Sequence, residues 1–379
     1  MPRPIVAHIS HSALQHNLQV IRSHLAQSSP GAGQSPSIWA VIKANAYGHG
    51  IERAVAGFDA ADGLAMLDMD EAVRCRKAGW RKPILMLEGF FDEADLKLCA
   101  QQGLTVVVHD PGQIDLVEST RLPAGLSPPG VFLKLNTGMN RLGFDAERFS
   151  EAHQRLHLLA QAGKVGQIGC MTHFACADEP GGADEAFATF QQVTRDLAGP
   201  VSVSNSAAVL ALPGLLHSTA GRTVWVRPGI ALYGGSPFDN RSAASFGLKP
   251  AMTLRSRMIG VQTLATGQSV GYGYRFTADR PMRIGVVACG YADGYPRHAP
   301  NGTPVTVAGV RTRLIGRVSM DMLTVDLTDV PLAQVGSPVV LWGDGGPCVD
   351  EVAQASGTIG YELLCAIAQR VRVVGTEPV

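Results

Sequence analysis

Eight short apolar segments, separated by amphipathic ones, constrain the fold of the first 235 residues more than any other feature. The apolar segments are rich in β-branched residues and cover residues 37–44, 63–67, 83–88, 104–109, 131–136, 166–174, 201–205 and 224–232. Stretches between them, such as 68–79 and 146–163, place apolar residues at helical spacing. Continuous apolar strands between helices are typical of buried parallel strands. Eight such units close most simply into a (β/α)8 TIM barrel, with a leading helix over residues 11–27.

The pattern changes near residue 240. Residues 240–250 are polar and contain glycine and proline, as expected of a linker. Beyond them strand-like segments follow one another with little helix between, at 251–264, 282–294, 303–328 and 338–343, before a short helical tail. The sequence therefore predicts an α/β plus β protein with two domains: a barrel over residues 1–240 and a mainly antiparallel β-domain over 241–379.

Charge and cysteine content exclude several classes of function. The formal net charge is zero, so no basic field is available for nucleic acid or an anionic membrane. The seven cysteines form no CxxC pair and no zinc spacing, which favours reduced thiols and predicts no metal site. The first residues lack the apolar core of a signal peptide, and no apolar run reaches the roughly 18 residues that span a bilayer. We expect a cytoplasmic protein.

Several polar residues occupy the ends of predicted barrel strands, where TIM barrels place their active sites. Lys43 ends the first strand, His173 ends the sixth, and Arg227 lies in the eighth. Lys134 and Asn136 are predicted in the fifth strand, and Asn205 and Ser206 end the seventh. Any one of these side chains could simply point to solvent, but together they predict a polar ligand at the barrel mouth.

The loops after the seventh and eighth strands, residues 204–208 and 227–234, are candidates for binding phosphate. Ser206 would open a short helix, and Gly229 would allow close backbone approach, although an ordinary serine N-cap is the alternative. Neither GxxxxGK[ST] nor GxGxxG occurs. A lysine at a strand end, facing a phosphate site, suggests pyridoxal phosphate bound through the Lys43 amine. Arg227 is the best-placed partner for the pyridine nitrogen, and it would keep that nitrogen unprotonated.

Nine sequence blocks resemble one enzyme family, in the same order along nearly the whole chain. The first is AVIKANAYGHG (40–50), and the others lie at 134–144, 170–178, 204–208, 226–235, 271–274, 290–297, 316–327 and 359–364. The family is the alanine racemases, pyridoxal-phosphate-dependent enzymes of fold type III. The resemblance implies an isomerase that interconverts L-alanine and D-alanine, a homodimer with shared active sites, and a source of D-alanine for peptidoglycan or a role in alanine catabolism.

The resemblance also implies roles for individual residues. Lys43 would carry the cofactor and act as the base for the D-enantiomer, and Tyr272 would act on the opposite face from the partner subunit. His173 would link Tyr272 to Arg227. The phosphate would be held by Tyr47, Ser206, Gly229, Ile230 and Tyr361, with Asn205 close by. Arg141 and the backbone of Met320 would bind the substrate carboxylate, Tyr291 would line the entrance, and Asp321 would lie near the substrate. Lys134 matches a lysine that is often carbamylated.

The sequence is compatible with several alternative interpretations of individual residues and of the activity. Asn136 stands where the family often has aspartate, which removes a negative charge beside Lys134 and Arg141 and bears on the carbamylation. Without the resemblance, Tyr272 would be read as an aromatic residue of a hairpin turn and His173 as a core histidine. The alternatives to an alanine racemase are a racemase of broader or serine specificity, a barrel-type amino-acid decarboxylase, and a non-catalytic pyridoxal-phosphate carrier.

Overall fold

The computed structural model describes residues 3–27, 35–212, 214–215 and 221–376. The chain divides into two compact units. One, the barrel unit, comprises Leu18–Ala46 and Ala54–Leu232. The other, the β unit, comprises the residues up to Asn17, Tyr47–Arg53 and the residues from Tyr233 onward. None of the helices over the described residues is long and apolar enough to cross a membrane.

Eight parallel strands form a closed barrel, in the order in which they occur along the chain. They are β2 (Ser37–Val41), β3 (Gly63–Met66), β4 (Ile84–Met86), β5 (Thr105–Val108), β6 (Gly130–Lys134), β7 (Ile168–Met171), β8 (Val201–Ser202) and β9 (Val224–Val226). Pairing of Ser37 with Trp225, and of Ile38 with Val226, closes the barrel. All eight predicted strands are therefore present, and the predicted TIM barrel is confirmed.

Helical segments lie before and between the barrel strands and after the seventh of them. They are α1 (His11–Gln27), α2 (Lys43–Tyr47), α3 (Ile51–Gly57), α4 (Met69–Lys77), α5 (Glu93–Gln101), α6 (Pro111–Ser119), α7 (Ala146–Gln161), α8 (Asp184–Thr194) and α9 (Ser206–Ala211). Aspartate caps the N-termini of α4 to α7, and each cap accepts a hydrogen bond from a backbone N–H of the first turn. These caps fix where four of the strand–helix connections, which are loops of the barrel mouth, end.

Two aromatic side chains pack against each other across neighbouring barrel strands. Trp39 on β2 is 2% exposed and stacks on Trp225 of β9, with ring centroids 4.0 Å apart. Gly63 on β3 lies under this pair, since a Cβ atom there would lie 2.2 Å from the Trp39 ring. Only glycine leaves room for the indole at this position.

The β unit is built on one eight-stranded sheet. Its strands are β1 (Val6–Ser10), β10 (Met252–Leu264), β13 (Met282–Val287), β14 (Pro304–Val307), β15 (Val310–Ile315), β16 (Leu323–Asp326), β17 (Pro338–Trp342) and β18 (Arg372–Thr376). A separate hairpin joins β11 (Ser269–Val270) to β12 (Phe276–Thr277), and the unit also carries α10 (Val349–Ala355) and α11 (Gly360–Cys365). All pairs are antiparallel except β1 with β18, so the predicted antiparallel β-domain is confirmed.

β1 was not predicted from the sequence. This strand pairs with β10 on one side and with β18 on the other, so the N-terminal segment lies inside the sheet of the β unit. A five-residue strand whose partners lie far away along the chain leaves no local pattern to recognise.

Candidate active site

Lys43 lies two residues beyond the end of β2, at the carboxyl end of a barrel strand. It begins α2, which is a left-handed turn, because Ala44, Asn45, Ala46 and Tyr47 all have φ between 51° and 55°. Four successive residues with side chains rarely adopt this conformation. The turn directs the chain away from the strand immediately after Lys43.

The other predicted residues of the barrel unit also follow strand ends. Lys134 is the last residue of β6, and His173 lies two residues after β7. The predictions that Asn136 and Arg227 lie inside strands are wrong: Asn136 lies two residues after β6, and Arg227 directly follows β9. Both strands end early because the chain turns into the loops of the barrel mouth, where side chains can reach a ligand.

Arg227 is buried and connects three neighbouring segments. Its guanidinium donates to Ser202 Oγ at 2.7 Å and to the Thr172 carbonyl oxygen at 2.6 Å, and it lies 3.2 Å from His173 Nδ1. Burial lowers the pKa of Arg227 to about 10. The guanidinium therefore stays protonated at neutral pH. The hydrogen bonds of Thr172 and Ser202 to Arg227 were not predicted, although Thr172 belongs to the predicted sixth strand and Ser202 to the predicted seventh.

His173 is held in its neutral form. Burial, and then the positive charges of Arg227, Lys134 and Arg141, lower its pKa to about 2. Because a guanidinium can only donate, Nδ1 accepts the hydrogen bond from Arg227 and the ring proton is on Nε2. The Nε2–H is thereby available to donate to an oxygen atom.

Lys134 belongs to a group of basic residues. Burial lowers its pKa to about 8, and the charges of Arg227, Arg141 and Lys43 contribute in the same direction. The carboxylate of Glu88 acts in the opposite direction. An excess of buried positive charge is unfavourable unless an anion binds beside it. The arrangement therefore suits a ligand that carries negative charge.

A small pocket opens beside Lys134 and His173, and the turn that carries Arg141 lines it as well. Asn136 organises this turn. Its Oδ1 accepts from the backbone N–H groups of Gly138 (3.1 Å) and Asn140 (3.0 Å), while its Nδ2 donates to Asn140 Oδ1 at 3.0 Å. Asn136 therefore uses its amide group to shape the turn that ends at Arg141.

Ser206 connects the loops after β8 and β9. Its Oγ accepts from the backbone N–H of Gly229 at 2.8 Å and from that of Ala231 at 3.4 Å. The alternative that Ser206 is an ordinary N-cap is wrong, because Asn205 caps α9 by accepting from the Ala208 N–H at 3.0 Å. Ile230 begins a 3-10 turn in the second loop. The two predicted phosphate loops are thus joined by the Ser206 hydroxyl.

Tyr47 and Tyr361 both belong to the β unit and lie beside each other, with ring centroids 6.0 Å apart. Tyr47 also stacks on Tyr233, with centroids 4.7 Å apart. Burial raises the pKa of Tyr47, so its hydroxyl stays protonated and able to donate.

Tyr291, Met320 and Asp321 form another group in the β unit. The N–H of Tyr291 donates to the Ser319 carbonyl, and that of Ala292 donates to the Met320 carbonyl, each at 3.0 Å. The two loops touch closely at Gly290, where a Cβ atom would lie 2.3 Å from the Ser319 oxygen. Tyr272 begins a 3-10 turn and is 73% exposed within this structure.

Charged residues that the sequence analysis missed support these loops. Asp293 is fully buried and pairs with Arg370 Nε at 2.7 Å and with Arg3 Nη2 at 3.3 Å. Arg370 also pairs with Asp321 Oδ1 at 2.7 Å. The sequence did offer one indication, the aspartate between the two tyrosines of the GYADGYPR block. If such a carboxylate is buried, a cationic partner is expected beside it.

Comparison with known proteins identifies the family. The sequence profile of the alanine racemase N-terminal domain matches residues 9–237, and that of the C-terminal domain matches residues 251–375. The chain belongs to the alanine racemase family. It is 62% identical to an alanine racemase of Bordetella petrii over 375 residues, which cover 98% of this chain and 99% of that protein.

Solved structures agree with this assignment. A biosynthetic alanine racemase from Pseudomonas aeruginosa superposes with a TM-score of 0.89 at 44% identity, over 99% of this chain and 100% of that chain. An alanine racemase from Acinetobacter baumannii gives a TM-score of 0.87 at 33% identity, again over 99% and 100% of the two chains. The predictions of an alanine racemase, of an isomerase and of pyridoxal phosphate as its cofactor are therefore confirmed.

Proposed function

We propose that the protein interconverts L-alanine and D-alanine with two bases on opposite faces of the substrate, Lys43 and the partner subunit's Tyr272. The single observation that carries the proposal is the position of Lys43 two residues after β2, at the mouth of a barrel that gathers Lys134, Arg141, His173 and Arg227. Two bases allow a proton to leave from one face and another to arrive on the other without turning the substrate.

The residues suit pyridoxal phosphate. The cofactor carries a phosphate and a phenolic oxygen, and the barrel unit places the cations Arg227, Arg141 and Lys43 around Lys134. When bound, the cofactor supplies an electron sink for the charge that develops at the substrate Cα atom. Lys43 Nζ would form the covalent bond to it and would exchange a proton with the D-enantiomer.

Arg227 and His173 would act as a pair. A guanidinium that donates to the pyridine nitrogen would leave that nitrogen without a proton of its own, which weakens the electron sink and restrains side reactions. Neutral His173 would donate its Nε2–H to the hydroxyl oxygen of the partner subunit's Tyr272. The 3.2 Å contact between Arg227 and His173 Nδ1 supports this direction of the hydrogen bonds.

Further residues would hold the two ends of the bound molecules. The phosphate would be bound by Tyr47, Asn205, Ser206, Gly229, Ile230 and Tyr361. Arg141 and the Met320 backbone would bind the substrate carboxylate. Lys134, when carbamylated, would orient Arg141. The lowered pKa of Lys134 supports that role, because only a neutral amine reacts with carbon dioxide. Asn136 would shape the Arg141 turn, and Tyr291 and Asp321 would line the approach to the site.

The proposal includes a cytoplasmic homodimer, with residues 1–240 as the cofactor-binding domain and 241–379 as the domain that provides the opposite-face tyrosine. Tyr272, Tyr274 and Met320 are 73%, 74% and 53% exposed, as expected of side chains that a partner covers. D-Alanine for peptidoglycan and alanine catabolism are both compatible physiological roles.

The circular dichroism of L-alanine offers a direct test. Protein loaded with pyridoxal phosphate should bring the signal toward zero, and Lys43→Ala should leave it unchanged. If the circular dichroism of L-alanine persists with wild-type protein that has bound the cofactor, the alanine racemase activity is refuted. Exchange of D-serine or L-serine under the same conditions tests the broader specificity.

A mixing experiment tests the shared sites. Lys43→Ala and Tyr272→Phe should each be nearly inactive, but a heterodimer of the two contains one site with both native bases. Random reassortment should restore about a quarter of the wild-type activity. No recovery in a mixture shown to contain heterodimers would place both bases in one subunit.

A further inference from the structure

The left-handed turn after Lys43 needs an external support. Ala44, Asn45, Ala46 and Tyr47 all have positive φ, and none is a glycine. Side chains disfavour this conformation, so such a run persists only where surrounding contacts fix it. One contact is local, from the Ala46 N–H to the Ile42 carbonyl at 2.8 Å.

A second contact reaches the turn from α4. The backbone N–H of Asn45 donates to Glu71 Oε1 at 2.5 Å. The Asn45 Oδ1 also lies 3.5 Å from both terminal nitrogens of Arg74, one helical turn further along α4. The backbone and the side chain of the central residue of the turn are thus both held by the same helix.

Glu71 is itself fixed in place. It lies in the first turn of α4, where its N–H donates to the N-cap Asp68 at 3.2 Å. Its second oxygen, Oε2, is buried and has no hydrogen-bond partner among the described residues. A glutamate in a first helical turn normally extends into water, where both oxygens are hydrated. Burial raises the pKa of Glu71, as expected of a carboxyl group directed inward.

We propose that Glu71 is a positioning residue for Lys43. By accepting the Asn45 N–H, it holds the left-handed turn and so fixes the direction in which the Lys43 amine leaves the end of β2. This inference rests on the proposed function, in which Lys43 binds pyridoxal phosphate covalently. The carboxyl group touches neither cofactor nor substrate in this role.

The test compares three substitutions in the holoenzyme. Glu71→Gln keeps an oxygen that can accept the Asn45 N–H, whereas Glu71→Met fills a similar volume and accepts nothing. Asp70→Ala is the matched control, since Asp70 is an exposed acidic residue in the same helical turn. Glu71→Ser gives the same comparison as Glu71→Met should the latter not fold.

Two quantities are measured at equal protein concentration: the dissociation constant for pyridoxal phosphate, and the fraction of bound cofactor that borohydride traps on lysine. We expect Glu71→Met to weaken binding roughly 10- to 100-fold, the range for loss of a hydrogen bond to a charged group, and to lower the trapped fraction. Glu71→Gln should recover both to within about threefold of the wild type. A purely structural role would lower the thermal midpoint without changing the trapped fraction at saturating cofactor.

The outcomes separate the inference from the proposed function. Peptide mapping of the reduced wild type locates the cofactor. A label on a residue other than Lys43 would refute the proposed site. A label on Lys43 would support the proposed site. If folded Glu71→Met or Glu71→Ser then binds the cofactor as tightly as Asp70→Ala does, with the same fraction trapped by borohydride, the role of Glu71 is refuted and the proposed function stands.

Discussion

Replacing Lys134 by methionine removes a cation that the barrel unit buries among other cations. The pKa of Lys134 falls from 10.5 to about 8, chiefly through burial. One pKa unit corresponds to about 1.4 kcal/mol, so the protonated amine disfavours the folded state by roughly 3 kcal/mol at pH 7. Methionine keeps most of the apolar stem of the lysine. We expect cofactor-free Lys134→Met to be more stable than the wild type at pH 7, by up to about 3 kcal/mol.

This advantage should decrease as the pH rises. Between about pH 8 and pH 10.5 the unfolded chain holds a proton on Lys134 that the folded protein has released. The free energy of unfolding of the wild type therefore increases with pH over this range. By pH 10 the advantage of the variant should fall below about 1 kcal/mol. A change in packing contributes equally at both pH values, so the difference between them isolates the charge.

Urea denaturation followed by circular dichroism, at pH 7 and pH 10 and at one protein concentration, provides the measurement. The concentration is fixed because subunit association would itself change the apparent stability. Lys77→Met is the control, since Lys77 is an exposed lysine at the end of α4. A Lys134→Met advantage that is the same at both pH values would refute the charged, buried state of Lys134.

Three further substitutions test other parts of the site. Asn136→Asp adds a negative charge to the pocket that Lys134 lines, so it should raise the pKa of Lys134 and flatten the pH dependence described above. Arg227→Glu should lower the rate of racemisation at least tenfold and increase long-wavelength absorption during turnover, because a carboxylate partner strengthens the electron sink. An unchanged spectrum and an unchanged rate would contradict the role of Arg227. Asp293→Ala should lower the free energy of unfolding by about 1.5–3 kcal/mol. This loss is smaller than the loss expected for a fully buried ion pair, because the two arginine partners of Asp293 are 37% and 39% exposed. Urea denaturation checks the last value, and a loss below about 0.5 kcal/mol would contradict it.

The barrel was predictable because each of its strands is buried on both sides and reads as a continuous apolar run. The left-handed turn after Lys43 was not predictable. It is formed by two alanines, an asparagine and a tyrosine, whereas glycine is the residue that normally marks a positive φ. Glu71 was missed for a related reason. In the sequence it is one of several acidic residues at the start of a helix, and only the fold brings it to Asn45.

The site was predictable to the extent that its residues follow strand ends. Lys43, Lys134 and His173 could be assigned to the barrel mouth from the order of the segments alone. Their electrostatics could not, because the pKa of Lys134 depends on burial and on cations that lie in loops and turns beyond the barrel strands. Asn136 shows the same limit: its replacement of aspartate was visible in the sequence, but its hydrogen bonds across the Arg141 turn were not.

The location of β1 has a consequence for biosynthesis. Val6 pairs with Arg255 on one side and with Arg372 on the other, so the first strand leaves the ribosome long before either of its neighbours exists. The eight strands of the barrel are contiguous in the chain and can all be paired during translation. The sheet that contains β1 can be completed only after β18 has been made, and β18 follows all eight strands of the barrel in the chain. Until β10 has been made, the nascent chain exposes β1 as an unpaired strand, which is a natural point of contact for chaperones and a hazard for aggregation.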